Sequence, residues 1–192
     1  MKFIIEHLEP ELYDWCLIEY EHISEIVGKE NLFFTNISDK KDADRLKKFG
    51  AVYEKNISQL NFEKICVLSQ YAEKTVSASD KKDFEYFVFG GILGDNPAKK
   101  RTDTIIKDLK NSGKMFEERN LGKSQMPTDV AVYATKQMLN GKKLSDFKFV
   151  DKLEIEIDED ESVELDFRYI VDGNKPIISE KLVEYIRNNK GF

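Results

Sequence analysis

The chain has 192 residues, a formal net charge of −6, and 41% hydrophobic against 34% charged residues. That length and mix suit one sizeable core and exclude a disordered polypeptide. The acidic balance argues against a protein that lives on phosphate backbones and for a basic protein partner.

No apolar run approaches the roughly 18 residues a membrane helix needs. The opening Met1-Lys2-Phe3-Ile4-Ile5-Glu6 is too short and too acidic for a signal peptide, so the cytoplasm is the default compartment. Cys16 and Cys66 lie in no metal or disulfide pattern and are expected to be buried small hydrophobes.

Residues 3–6 predict a first strand. Pro10 is expected to open a helix over 11–27, stopped by Gly28. On a helical wheel Leu12, Trp15, Cys16, Tyr20, Ile23, Ile26 and Val27 share one arc of about 140°. Glu19 falls inside that arc. It is either an edge glutamate reaching water or a site acid, because a carboxylate on an apolar stripe needs a partner or a proton. Residues 31–35 predict a second strand and 42–49 a short helix. Lys40, Lys41, Lys47 and Lys48 form a local basic patch, read as a solvated helix face. Residues 64–69 predict a third strand, followed by a polar loop over 71–82.

Phe84-Glu85-Tyr86-Phe87-Val88-Phe89 then reads as a buried strand. Gly90 and Gly91 are expected to end it, supplying positive φ and bare amides for a ligand. Gly94-Asp95-Asn96-Pro97 makes a turn, and 101–110 a helix. The spacing is not the dinucleotide fingerprint, since no G-x-G-x-x-G is present. Residues 114–119 predict another strand, leading into a second glycine-bearing loop, Asn120-Leu121-Gly122-Lys123-Ser124-Gln125-Met126-Pro127. Thr128 is expected to cap a helix over 129–139. The order to this point is that of a mostly parallel α/β sheet, with both glycine loops at its carboxyl edge.

Beyond Asn140-Gly141 the pattern changes. Residues 147–158 and 163–171 alternate apolar and charged side chains, which predicts an antiparallel hairpin with one wet, acidic face. That face reads as edge protection or as a docking surface for a basic partner. A final helix is expected over 179–189. The expected organisation is a domain over 1–141 and a hairpin-and-helix extension over 142–192 packed on it.

The segments Phe87-Val88-Phe89-Gly90-Gly91-Ile92-Leu93-Gly94-Asp95-Asn96-Pro97, Arg101-Thr102 and Leu121-Gly122-Lys123-Ser124-Gln125-Met126-Pro127-Thr128-Asp129 resemble a small group in the SPOUT methyltransferase superfamily. Ile4-Ile5-Glu6-His7, Glu19-Tyr20, Phe149-Val150-Asp151 and Phe167-Arg168-Tyr169 extend the likeness over nearly the whole chain. Eukaryotic members of that group methylate an arginine of a ribosomal protein. Prokaryotic relatives have often been described as RNA methyltransferases.

The resemblance implies a trefoil knot and S-adenosylmethionine as cofactor. Gly90, Gly91 and Gly94 would line the first loop, and Leu121, Gly122, Gln125, Met126 and Thr128 the second, with Leu68 and Arg101 beside them. It implies Glu19 as the clamp on a substrate guanidinium, Asp95 and Glu6 as supporting acids, and His7 or Asp129 as proton acceptor. Arg101 would hold a cofactor carboxylate or a site acid, or else begin a surface helix. One stretch departs from the family pattern: Leu68-Ser69-Gln70-Tyr71-Ala72 stands where Leu-Asp-Pro-Arg-Ala is expected, which removes a charged site group and bears on substrate identity more than on cofactor binding. The substrate is expected to be a basic ribosomal protein. RNA on a groove of Lys99, Lys100, Arg101, Lys107, Lys110 and Lys114 is the alternative, and a non-catalytic binding module a remoter one. A monomer is favoured over a homodimer.

Overall fold

The computed structural model describes residues 1–91 and 101–191. Gly94 and Asp95, and the lysines Lys99 and Lys100, therefore lie outside the described residues. The elements run β1 (Lys2–His7), α1 (Asp14–Val27), β2 (Leu32–Thr35), α2 (Lys40–Leu46), β3 (Ala51–Val52), β4 (Ile65–Leu68), α3 (Asp80–Asp83), β5 (Tyr86–Gly91), α4 (Thr102–Asn111), β6 (Phe116–Arg119) and α5 (Thr128–Leu139). The strands form one six-stranded sheet in the order β3-β2-β1-β5-β4-β6. Every pairing in it is parallel, as the alternation of strands and helices predicts.

Apolar residues on both faces of its central strands require cover on both sides. Phe3, Ile5, Cys66, Leu68, Phe87 and Phe89 point into the larger core, which α1 and α5 cover. Ile4, Ile65, Val67 and Val88 point the other way, against Ile57, Ile105 and Leu109. Ile105 and Leu109 are the buried residues of α4, so helices flank the sheet on both faces.

Several boundaries differ from the sequence reading. Helix α1 begins at Asp14, not at Pro10. The preceding residues are tied to α2 first: the Leu12 amide donates to Asp42 and the Leu12 carbonyl accepts from Arg45. Gly90 and Gly91 end β5 as strand residues, not as a turn. They are its last two residues, paired with Glu6 and His7 of β1. Gly90 is absent from the residues with positive φ, so its backbone is that of an ordinary strand. Gly50, by contrast, is dictated by close approach. A Cβ there would lie 2.5 Å from the Leu32 carbonyl oxygen and 3.0 Å from the Phe34 ring. Gly50→Ala is expected to cost about 1–3 kcal/mol through overpacking, seen as a lower urea midpoint. An unchanged midpoint would mean the α2–β3 corner can move freely off β2.

The alternation over 147–171 resolves into two pairings rather than one long hairpin. β7 (Lys148–Val150) pairs with β10 (Tyr169–Asp172), which also pairs with β11 (Lys175–Pro176). β8 (Leu153–Glu156) and β9 (Ser162–Leu165) make the antiparallel hairpin. Ile155 and Leu165 are buried, while Glu154, Glu156 and Glu164 are exposed, giving the wet acidic face. α6 (Glu180–Asn189) follows. Ile155, Leu165, Tyr169, Ile170, Leu182 and Ile186 belong to the same core as α1 and α5, with α6 against α1 and β10 against α5.

Candidate active site

The carboxyl ends of β1, β5 and β4 and the amino end of α5 meet on the larger core face. Glu19 lies there, on α1. It is 1% exposed and does not reach water. Its Oε1 accepts from the backbone amides of Thr128, at 2.8 Å, and Asp129, at 3.3 Å. Glu19 thus satisfies the first amides of α5 and meets the positive end of its dipole. Thr128 is not the cap. It lies in the first turn behind Pro127, and its Oγ1 donates to the Gly90 carbonyl at 3.3 Å. Glu19 Oε2 is buried with no partner among the described residues. Burial, and then the nearby Asp129 charge, push the Glu19 carboxyl above the usual range, against the pull of the two helix amides.

Asp129 is 2% exposed. Its Oδ1 accepts from the Val130 amide and its Oδ2 faces His22 Nδ1 at 2.7 Å. Burial alone would lower the His22 pKa, but the Asp129 hydrogen bond and charge outweigh it and the net direction is upward. Tyr169 of β10 is buried beside both carboxylates, and burial followed by their charges raises its phenol.

His7 ends β1 on the same face. It is 5% exposed. Its Nδ1 lies 2.9 Å from the Tyr20 hydroxyl, and its Nε2 is buried without a partner among the described residues. Burial lowers its pKa, against the Glu11 backbone and the nearby Glu9 and Asp42 charges, which favours the neutral ring. Glu6 does not join this group. Successive strand side chains alternate faces, and Glu6 points to the opposite side, where its Oε2 accepts from Thr35 Oγ1 and the Ile57 amide. A supporting role for Glu6 beside Glu19 is therefore corrected to a structural one: it ties β1 to β2 and to the turn at Ile57.

The second glycine loop leaves β6 on the same edge. Gly122 has φ +92°, a conformation that favours glycine. Leu121 and Met126 are half-buried against the core, and Leu68 sits at the end of β4. The Gln125 carbonyl accepts from the Arg168 amide, which fastens this loop to the C-terminal strands. Apolar walls around a loop of backbone groups suit an adenine ring. Arg101 Nη1 holds Glu9 Oε1 at 2.6 Å, so it engages an acid of the segment after β1. Where the family pattern has aspartate, Ser69 Oγ accepts from the Tyr71 amide at 3.4 Å and the Ser69 carbonyl accepts from Ala72. The serine keeps the turn without the charge.

Sequence reasoning missed His22, Tyr20 as the partner of His7, and Glu9 as the partner of Arg101. One signal was present for His22: it lies three residues after Glu19, hence on the same side of α1.

The sequence pattern of the family described as protein arginine N-methyltransferase SFM1-like matches residues 2–191. The protein arginine N-methyltransferase SFM1 of Saccharomyces cerevisiae is 33% identical over 207 residues, spanning 98% of this chain and 95% of that protein. The crystal structure of yeast SFM1 complexed with SAM superposes with a TM-score of 0.88 at 33% identity, covering 98% of this chain and 90% of that one. The crystal structure of the dual specific Trm10 from Thermococcus kodakaraensis shares the fold alone, with a TM-score of 0.59 at 19% identity over 76% of this chain and 96% of that one. With a match of this length, and relatives alike in sequence and in fold, the chain belongs to the SFM1-like protein arginine N-methyltransferase family.

Proposed function

We infer that the protein transfers the methyl group of S-adenosylmethionine to an arginine side chain of a basic protein. Its family and the SAM, SAH and MTA complexes of the yeast relative support the cofactor and the reaction. The observation that carries the site is Glu19, a buried carboxylate with one oxygen fixed by α5 and one unclaimed among the described residues. A guanidinium is charged at any working pH and presents parallel N–H donors. It is the ligand that such an oxygen favours most, and the acid would orient one nitrogen toward the donor.

Leu68, Gly90, Gly91, Leu121, Gly122, Gln125, Met126 and Thr128 are the described residues we assign to the cofactor, with Arg101 fixing Glu9 beside them. Bound there, S-adenosylmethionine supplies an electrophilic methyl group. Transfer would break the donor's S–CH3 bond, form an N–CH3 bond, leave S-adenosylhomocysteine and release one guanidinium proton. His7 takes that proton better than Asp129 does. In the tautomer with hydrogen on Nδ1, its Nε2 holds a free lone pair, whereas both Asp129 oxygens are engaged.

We take residues 1–141 as the methyltransferase unit and 142–192 as an extension packed on it. The exit of β6 lies against the segment before β5, where the Asn120 amide donates to Lys74 and its carbonyl accepts from Val76. We place the knot at that crossing. We further propose a ribosomal protein substrate, in keeping with the acidic surface, and a cytoplasmic monomer. Both cysteines are free and buried, as suits a reducing compartment.

Transfer of labelled methyl from S-adenosylmethionine to purified ribosomal proteins, beside ribosomal and transfer RNA, tests the reading. Label is expected on a protein, recovered as methylarginine. Label in RNA alone overturns it.

A further inference from the structure

Two polar side chains, buried Asp129 and part-buried His22, have no part in the transfer step described above. Asp129 touches Glu19 in two ways. Its backbone amide donates to Glu19 Oε1, and its side chain places a second carboxylate nearby. That side chain is in turn held by His22 Nδ1. Glu19 and His22 stand three residues apart on α1, so one helix face grips the amino end of α5 at two points, through a main-chain contact and a side-chain contact. Glu19 Oε2 is the unpartnered atom at the centre of this arrangement. His22 is the member nearest solvent, its side chain 16% exposed.

We propose that His22, acting through Asp129, is a positioning residue for substrate arginine: it fixes the first turn of α5 onto Glu19 and offsets the Asp129 charge, so that Glu19 meets the guanidinium ionised and aimed. This rests on Glu19 being the guanidinium clamp.

Electrostatics give the effect a sign. The charged groups acting on His22 are Glu25 from its own helix and Asp129 from α5, with Glu19 and Tyr169 of β10 beside Asp129. Both acids acting on it favour the imidazolium. Two acids close together resist joint ionisation. A cation on Asp129 relieves that resistance, and its removal exposes Glu19 to an uncompensated carboxylate. The acid limb of kcat/KM, which reports Glu19 ionisation, therefore moves to higher pH in His22→Ala. It moves to lower pH in Asp129→Asn, where the competing charge is gone. A residue that merely packs between α1 and α5 would not shift the limb in opposite directions for the two variants.

The experiment measures methyl transfer to the protein substrate against pH for the full-length wild type, His22→Ala, His22→Asn and Asp129→Asn, with S-adenosylhomocysteine affinity of each by calorimetry. His22→Ala is expected to raise KM for the protein substrate about tenfold, with cofactor affinity within about twofold of wild type. His22→Asn places an amide donor near the Nδ1 position. It is expected to recover most of the KM loss but keep the displaced limb, because it has no charge. Unchanged KM and limb in His22→Ala, or parallel shifts in His22→Ala and Asp129→Asn, overturn the proposal. If His22→Ala unfolds, the pH limb of His22→Asn decides alone. Glu19→Gln separates the layers: full turnover in that variant removes the clamp itself, whereas lost turnover with an indifferent His22 removes only the positioning role.

Discussion

Glu19→Gln is expected to lose methyl transfer while the protein stays folded and keeps its cofactor. Removing one partner of a buried, hydrogen-bonded charge pair costs about 2–5 kcal/mol, which is roughly thirtyfold to several thousandfold in kcat/KM. Glutamine keeps a carbonyl oxygen where Glu19 Oε1 accepts from Thr128 and Asp129, so α5 retains its cap. What it cannot do is answer the charge of a guanidinium. Folding responds in the opposite sense. The folded-state pKa of Glu19 is raised above 4.5, first by burial and then by Asp129. Such a group contributes stability that is fully present below its unfolded pKa and is lost as pH rises through the folded one. The glutamine variant never titrates, so its stability relative to wild type should improve as pH climbs from acid to mildly alkaline. Urea midpoints across that range check the stability, and kcat/KM at fixed pH checks the function. A variant that turns over normally, or that unfolds at neutral pH, contradicts this account of the site.

The same residue shows how far the sequence could be read. The periodicity of α1 puts Glu19 on an apolar stripe, and that is enough to mark it as exceptional. It cannot say what satisfies the carboxylate, because the two amides lie 109 and 110 residues away. The cap of α5 falls to Thr128 on sequence for the same reason. Local reasoning prefers a local hydroxyl, and the real acceptor arrives from another helix. The parallel sheet was legible, since strands with apolar residues on both faces alternate with helical segments. That Gly90 and Gly91 pair inside the strand was not, because two glycines look like a turn until β1 is seen to pair with them through His7.

The placement of Glu6 and His7 is decided by strand parity. Neighbours along β1 face opposite sides of the sheet, so only one of them could stand with Glu19. Sequence order alone makes them look like one cluster. In the C-terminal part, period two fixes which residues face inward but not which strands meet. The alternation runs unbroken across Asp166, where the chain leaves one pairing for the other, and slips only at Val150-Asp151, between β7 and β8.

A large stability effect is expected at Arg119, the last residue of β6. Its Nε donates to Asp80 Oδ1 at 2.9 Å and its Nη1 to Glu117 and to the Glu118 carbonyl, with the guanidinium 5.0 Å from the centre of the Phe84 ring. The Arg119 and Asp80 side chains are only 8% and 4% exposed. Arg119→Met keeps the apolar stem over Phe84 but leaves the Asp80 carboxylate buried without its cation. The remaining donors, the Ser77 amide and hydroxyl, both go to the other oxygen. Breaking such a pair from one side costs about 3–5 kcal/mol, while replacing both partners by apolar groups is often neutral. The double variant Asp80→Leu, Arg119→Met should therefore recover most of the loss, and a double-mutant cycle in urea measures the recovery. Because Arg119 leads directly into Asn120 and the Leu121–Met126 loop, the single variant should also weaken S-adenosylhomocysteine binding, and the double variant should restore it in step with stability. A cost below about 1 kcal/mol for Arg119→Met would place this pair with ordinary solvated surface bridges. The loop would then owe its position to Asn120, whose amide, carbonyl and side chain all bind the 72–76 segment.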